Sequence, residues 1–296
     1  MRTSFIKYRF WIVLTSTFLT GSMYAQSISL AFSPTIGSCH KVEIKRIFYS
    51  ANQVLDNIGI DMYGSAYMYY LLSFTALECT ESGYMVKLTI DSTSMSARHG
   101  TESSVGSFSG GNIQRDIDFL GASVLLHISK QGKLINAQGI ENMTNSLPTN
   151  QLGISTEDMF LNMIKEFVRM TIPEYTTESL AIGQTWDCIE NVGTGVFKYV
   201  ENTQYELIDF DSTHASLSLL SSMEPEESDE YLELWGVKIS GIVSGATTGT
   251  LKIDRNTGWK VESEWQKNSV TKMKTESLPM PIPPLYSKEQ ITVRGI

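Results

Sequence analysis

The residue types that most often announce chemistry are thin in this chain. Cysteine occurs three times in 296 residues, as Cys39, Cys79 and Cys188. Their spacings match no zinc motif, and an odd number leaves one unpaired. Histidine is nearly as rare, with His40, His99, His127 and His214. Cys39-His40 is a two-ligand fragment and too little for a metal site; it reads as a free thiol beside an exposed imidazole. No G-x-S-x-G elbow surrounds a serine. No glycine loop leads into a Lys and a helix start, so SFSGGN (107–112) reads as a turn rather than a phosphate cradle. Positive charge is in deficit, with a net charge of −9. Phosphate backbones repel such a protein, which excludes nucleic acid as a partner and argues against adsorption to anionic lipid. Beyond residue 19 no run is apolar enough for the roughly 20 residues a bilayer span needs.

What is present begins at the N-terminus. Arg2, Lys7 and Arg9 precede a short apolar run, FWIVLTSTFL (10–19), with no acidic residue before position 26. GSMYAQ follows, and Ala25 occupies the small-residue position before a signal-peptidase cut. The run is short and broken by threonines, so it reads as a signal peptide and not an anchor. The expectation is export to the periplasm or cell envelope of a Gram-negative bacterium, with no transmembrane segment after cleavage. Ile36-Gly37-Ser38-Cys39 has the form of a lipid-attachment box, but Ser33, Pro34 and Thr35 separate it from the apolar run. Residues 1–25 hold three positive charges and no negative ones, so a chain cut there carries −12.

Periodicity then gives the organisation. Residues 26–60 read as an N-terminal extension, 61–276 as the main domain and 277–296 as a Pro-rich C-terminal segment. Tyr63 to Leu77 is rich in Tyr and Leu and suits a strand. In YMVKLTI (84–90), Tyr84, Val86, Leu88 and Ile90 share one face, the period of a half-buried strand. Residues 91–116 are Ser- and Gly-rich and read as the most loop-like stretch, with hidden strand left open. Ser123 to Ser129 and the segment from Lys133 to Ala137 form a strand pair around Gln131-Gly132.

One helix is clear. Ser155 suits its N-cap and Glu157 and Asp158 its first turn. Phe160, Met163, Ile164, Phe167 and Met170 form an apolar stripe, Lys165, Glu166 and Arg169 a wet face, and Pro173 a stop.

Strand patterns resume at Asn202–Phe210, Ala215–Leu220, Trp235–Val243 and Thr250–Asp254, with a turn expected at Gly245–Gly249. Arg255-Asn256-Thr257-Gly258 signals a hairpin. The strand after it is expected to put Trp259, Val261 and Trp265 on one face and Lys260, Glu262 and Glu264 on the other. Strands, one helix, then strands imply an α+β fold, an antiparallel sheet with one main amphipathic helix packed on it.

Four stretches carry a family resemblance: QGKLINAQGIENM (131–143), the helix after it, AIGQTWDC (181–188) and GTLKIDRNTGWKVES (249–263). They resemble uncharacterised exported proteins of Bacteroidota-type bacteria over roughly residues 60–275. The resemblance implies a large curved antiparallel sheet, half-barrel-like, with the helix in or near its concave side. That shape is similar to the half-barrels of periplasmic lipoprotein carriers. It carries over no catalytic residue. Cys79 and Cys188 flank the family-like core, so a disulfide, where one forms, is expected between them.

Paired carboxylates occur at Asp116 and Asp118, Asp209 and Asp211, and Glu262 and Glu264; each pair reads as a solvated outer face. Glu224, Glu226, Glu227, Asp229 and Glu230 lack the spacing and glycine of a calcium loop and read as a solvated acidic loop. No metal, cofactor or catalytic set is expected. His99 and His127 read as surface residues. The adaptable methionines of the stripe and the tryptophans of the hairpin strand give the binding candidates: Phe160, Met163, Phe167, Trp259, Val261 and Trp265. The leading expectation is a non-enzymatic envelope protein that binds an apolar small molecule, a lipid or the hydrophobic segment of an envelope protein. The alternatives are a structural or interaction module with a filled core, and an unrecognised hydrolase.

Overall fold

In the computed structural model the side chains of Tyr84, Val86, Leu88 and Ile90 are all buried, as their alternation requires. The structure describes residues 26–51, 64–99, 121–141, 156–193, 197–226, 231–234, 237–275 and 283–296. Residues 1–25, where a signal peptide is expected, and Ser155, Asp116, Asp118, Glu227, Asp229, Glu230, Trp235 and residues 277–282 lie outside that set, as does the side chain of His99.

The strands are β1 (Ser27–Ile28), β2 (Cys39–Ala51), β3 (Gly64–Cys79), β4 (Gly83–His99), β5 (Ser123–Ser129) and β6 (Leu134–Gln138), then β7 (Leu180–Ala181), β8 (Thr185–Val192), β9 (Tyr199–Phe210), β10 (His214–Pro225), β11 (Leu232–Leu234), β12 (Val237–Asp254), β13 (Lys260–Thr275) and β14 (Leu285–Gly295). One long helix, α1 (Thr156–Thr171), stands between β6 and β7. Eleven strands follow one path, β6-β5-β4-β3-β2-β14-β13-β12-β10-β9-β8, with β11 paired to β12 and the short pair β1-β7 apart. Every pairing is antiparallel. The path does not close: β6 and β8 are its edges. The fold is therefore α+β with a large open antiparallel sheet and one main helix, as the order of patterns implied.

The sheet reaches beyond residues 61–276 at both ends. β2, inside the expected extension, and β14, inside the expected Pro-rich segment, pair with each other from Val42↔Gly295 to Ala51↔Tyr286. They form the seam between the first meander and the second.

Three expectations are corrected. Residues 91–99 are not loop: they continue β4 against β3, past a bulge at Asp91. Gly245–Gly249 is not a turn but the interior of β12. Gly249 pairs with Trp265, and a Cβ there would meet the indole Cδ1 at 2.6 Å. The glycine makes room for a ring, a use of glycine in strands that a turn signal mimics. The faces of β13 also differ. The register shifts between Lys252↔Glu262 and Ile253↔Lys260, so Val261 is an extra residue. The bulge re-aims the side chains before it. Lys260 turns inward and is wholly buried, while Val261 is half-buried. The hairpin itself forms as expected, with Gly258 at φ 77°.

α1 carries Glu157 and Asp158 in its first turn and Arg169 in its last, both favourable to its dipole. Its buried residues Phe160, Ile164, Phe167 and Met170 join one core with Phe32, Phe74, Leu217 and Trp265. Each such side chain contributes about 1.5–3 kcal/mol by leaving water.

The sheet curves around this helix: Val86 of β4 and Trp186 of β8, eight strand spacings apart on the path, join one core with Phe160 and Phe167. Glu166 binds Arg46 of β2 and Arg169 binds Glu201 of β9. Five strand spacings separate β2 from β9, about 24 Å in a flat sheet at ~4.8 Å each. The two helix residues are only ~4.5 Å apart along the axis.

Candidate functional site

The interface of α1 with the concave sheet face changes character along the strands. Toward the helix C-terminus it is aromatic and aliphatic. Phe167 packs edge-on against Tyr70, with centroids 5.0 Å apart. Trp259 lies against Phe32 at 4.8 Å and stacks on His40 at 4.7 Å. Burial pushes the His40 imidazole down to about 4, against smaller raising effects from the Lys260 backbone and Asp254. Lys260 Nζ donates to the Arg169 carbonyl at 2.6 Å and lies 4.3 Å from the Trp265 ring centre. It thus satisfies a carbonyl at the end of the helix, where cations are favoured.

Midway the interface is ionic, and this part is a correction. Glu166 and Arg169, expected on a wet face, are half-buried against the sheet. Arg46 donates to Glu289 at 2.5 Å and to Glu166 at 2.7 Å. Arg169 binds Glu201, which also accepts from Ser221 Oγ at 2.7 Å. Lys267 donates to the Tyr199 hydroxyl at 2.9 Å. Burial alone would raise the Glu166 carboxyl; Arg46, then Arg169 and Lys267, overcome it and hold that carboxyl below its ordinary value. Glu201 is lowered in the same way, against its burial, by Arg169 and Lys267. A void of about 20 Å³ lies within this network. Thr247 Oγ1 and Trp265 Nε1 border it without a hydrogen-bond partner among the described residues.

Toward the helix N-terminus the interface opens into a cleft of about 260 Å³ between α1 and the β8–β9 edge. Met159, Met163 and Val192 supply apolar wall; Lys165, Arg169 and Glu190 supply charge. Glu190 stands 3.9 Å from Arg169. Burial raises its carboxyl, Arg169 opposes, and Glu201 and Glu174 add to the rise.

The six binding candidates therefore fall in different places. Met163 lines the cleft. Phe160, Phe167, Trp259 and Trp265 are buried in the core, Trp265 also bordering the small void. Val261 sits at the bulge. Arg46, Glu190, Glu201, Lys267 and Glu289 were not singled out from the sequence; a charged residue at an inward position of a strand was the available signal.

The other candidates resolve simply. All three cysteines are free, so the expected Cys79–Cys188 bridge is not formed. Cys79 is exposed at the end of β3, and Cys188 lies on the edge strand β8, its thiol pushed up to about 12 by burial. His127 Nε2 lies 3.0 Å from Ser82 Oγ. Glu262 and Glu264 face outward. Asp211 leaves the strand to accept from the Thr213 and His214 amides in the hairpin turn. Among the described residues no cluster of three His, Cys, Asp or Glu could hold a metal ion, and no helix is long and apolar enough to cross a membrane.

A family model described as "Family of unknown function (DUF6263)" matches residues 73–260, more than half of the chain. No curated protein matches. Among solved structures, one of lipid–protein interactions in lipovitellin is similar in fold, with TM-score 0.52 and 9% identity. The match covers 88% of this chain and 25% of that one, so the chain spans about a quarter of that protein's length. An outer membrane channel from Pseudomonas putida F1 aligns at TM-score 0.22 and 6% identity, over 90% of this chain and 97% of that one.

Proposed function

This chain belongs to the family of unknown function that matches it, and from that premise we propose that it is a non-enzymatic, exported envelope protein that holds a small, mainly apolar molecule in the cleft beside α1. One observation carries the reading. The concave face is filled by α1 along most of its length, yet about 260 Å³ stays open where Met159, Met163 and Val192 meet. Methionine adapts its shape to varied apolar partners, and small-molecule sites are concave, mostly apolar and few. Among the described residues that line the cleft, none is a Ser, Thr, Cys or His. The lipovitellin likeness supports the reading only through fold: the lipid–protein interactions belong to that protein, and a shared sheet does not transfer a ligand.

The burial of Phe160, Ile164 and Phe167 favours a second reading, in which α1 only plugs the sheet. Native mass spectrometry of purified protein, with displacement of an apolar fluorescent dye, separates the two. The binding reading expects a co-purifying ligand, and dye binding that Met163→Asp abolishes while circular dichroism is unchanged. No ligand and no dye binding leave the plug. Export is tested apart from this by N-terminal sequencing of the mature protein. Gln26 is the expected first residue; Met1, or a lipid-modified Cys39, rejects that cut.

A further inference from the structure

The charges around the cleft balance. Arg46, Lys165, Arg169 and Lys267 stand against Glu166, Glu190, Glu201 and Glu289. Most of them are already engaged. Glu166 and Glu289 share Arg46, and Glu201 holds Arg169. Two are left facing the cleft with a loose partner or none. Glu190 reaches Arg169 only at 3.9 Å. Lys165, on the same wall as Met159 and Met163, enters no ion pair among the described residues, and only its field acts on Glu190. One cation and one anion thus look into the same space, beside an apolar wall.

This pairing excludes simpler ligands. A purely anionic head meets Glu190, and a purely cationic head meets Lys165; like charges in a half-buried site cost free energy on top of desolvation. An uncharged head leaves Lys165 without a partner and Glu190 with only its 3.9 Å contact to Arg169. The space holds about eight or nine units of ~30 Å³, the volume share of one water, so a single ten-carbon chain with its head fills it and extends past its open mouth, and a second chain has no room.

Resting on the reading of the cleft as a binding site, we propose that its ligand is a single-chain amphiphile with a zwitterionic head, the anionic group of the head on Lys165, the cationic group on Glu190, and the chain along Met159, Met163 and Val192. Burial disfavours the ionised form of Glu190, and a ligand cation beside it restores that form.

Four probes of equal chain length test this by calorimetry below their micelle concentrations: decylphosphocholine, decanoate, decyltrimethylammonium and decanol. Decylphosphocholine is expected to bind about tenfold more tightly than each of the others, ~1.4 kcal/mol. Lys165→Gln should move the ranking toward decyltrimethylammonium, and Glu190→Gln toward decanoate. Equal affinities, or a tightest probe other than decylphosphocholine, overturn the head-group assignment and leave the cleft as a binding site. Failure of all four to bind overturns both. If a Gln variant does not fold, the ranking in the unmodified protein still decides.

Discussion

Replacing Lys260 with methionine tests how α1 is anchored. The amine has no exposed surface, donates to the Arg169 carbonyl and lies over Trp265, and among the described residues no carboxylate pairs with it. Burial, reinforced by the nearby Arg169 charge, pushes it well below the ordinary lysine value. In the unfolded chain it titrates near ~10.4. Between its native value and that figure the unfolded state binds a proton that the folded state has released. Stability therefore rises with pH through this window, by at most ~1.4 kcal/mol per pH unit for one proton. Below the native value both states are protonated and the slope vanishes. Methionine matches the side chain's length and removes the titration, leaving the Arg169 carbonyl without a donor at a cost of about 1–3 kcal/mol. Urea unfolding of both proteins across neutral and alkaline pH measures the difference, and every group common to the two cancels. The unmodified protein should gain on Lys260→Met as pH rises. A difference independent of pH would refute the reasoning, because it would mean that Lys260 carries the same proton folded and unfolded.

Arg46→Met should destabilise the fold by about 3–5 kcal/mol, since it strands Glu166 and Glu289 in a half-buried site; adding Glu289→Gln should recover part of that loss in urea titrations, and additive losses would count against the network. His40 is lowered to about 4 in the fold and sits near ~6.5 unfolded, so it contributes stability that is present above ~6.5 and lost as pH falls through about 4; His40→Phe should flatten that part of the pH–stability curve. Gly258→Ala should cost at least ~1–3 kcal/mol, because φ is 77° and a Cβ would meet the Ala31 carbonyl oxygen at 2.4 Å; an unchanged melting temperature would reject this. A thiol reagent at neutral pH should modify exposed Cys39 and Cys79 quickly and Cys188 slowly, and three equal rates would contradict the placement of Cys188.

The sequence disclosed most where one residue's fate depends on near neighbours. The alternation of Tyr84, Val86, Leu88 and Ile90, the stripe from Phe160 to Met170 and the turn at Gly258 are local patterns with local causes. Two misreadings arose where a local pattern served a distant contact. Gly245 to Gly249 has turn chemistry, but Gly249 yields to an indole on another strand. Lys260 alternates as an outward residue, yet one bulged residue reverses it. The ionic half of the helix interface was hidden for a similar reason. Arg46 and Glu289 are 243 positions apart, and Arg46 and Glu166 are 120 apart. The pairing of β2 with β14 and the packing of α1 over them bring the three to one point, and a charge on a strand or helix reads as solvated until those distant partners are known. Of the binding candidates, Met163 was legible because apolar periodicity marks the helix face, but periodicity does not say where the sheet stops covering it.

The seam between β2 and β14 has a bearing on assembly. Each meander can zip by hairpins as it emerges, but the rows that join them unite the two ends of the folded chain. Until the final strand arrives, β2 and β13 each present a long uncovered edge, the kind of surface that templates unwanted pairing. Contacts this distant in sequence slow folding. The order of synthesis is thus the reverse of what the middle of the sheet requires: β2 waits longest for its neighbour, and loss of residues 285–296 would split the sheet down its centre rather than trim its rim.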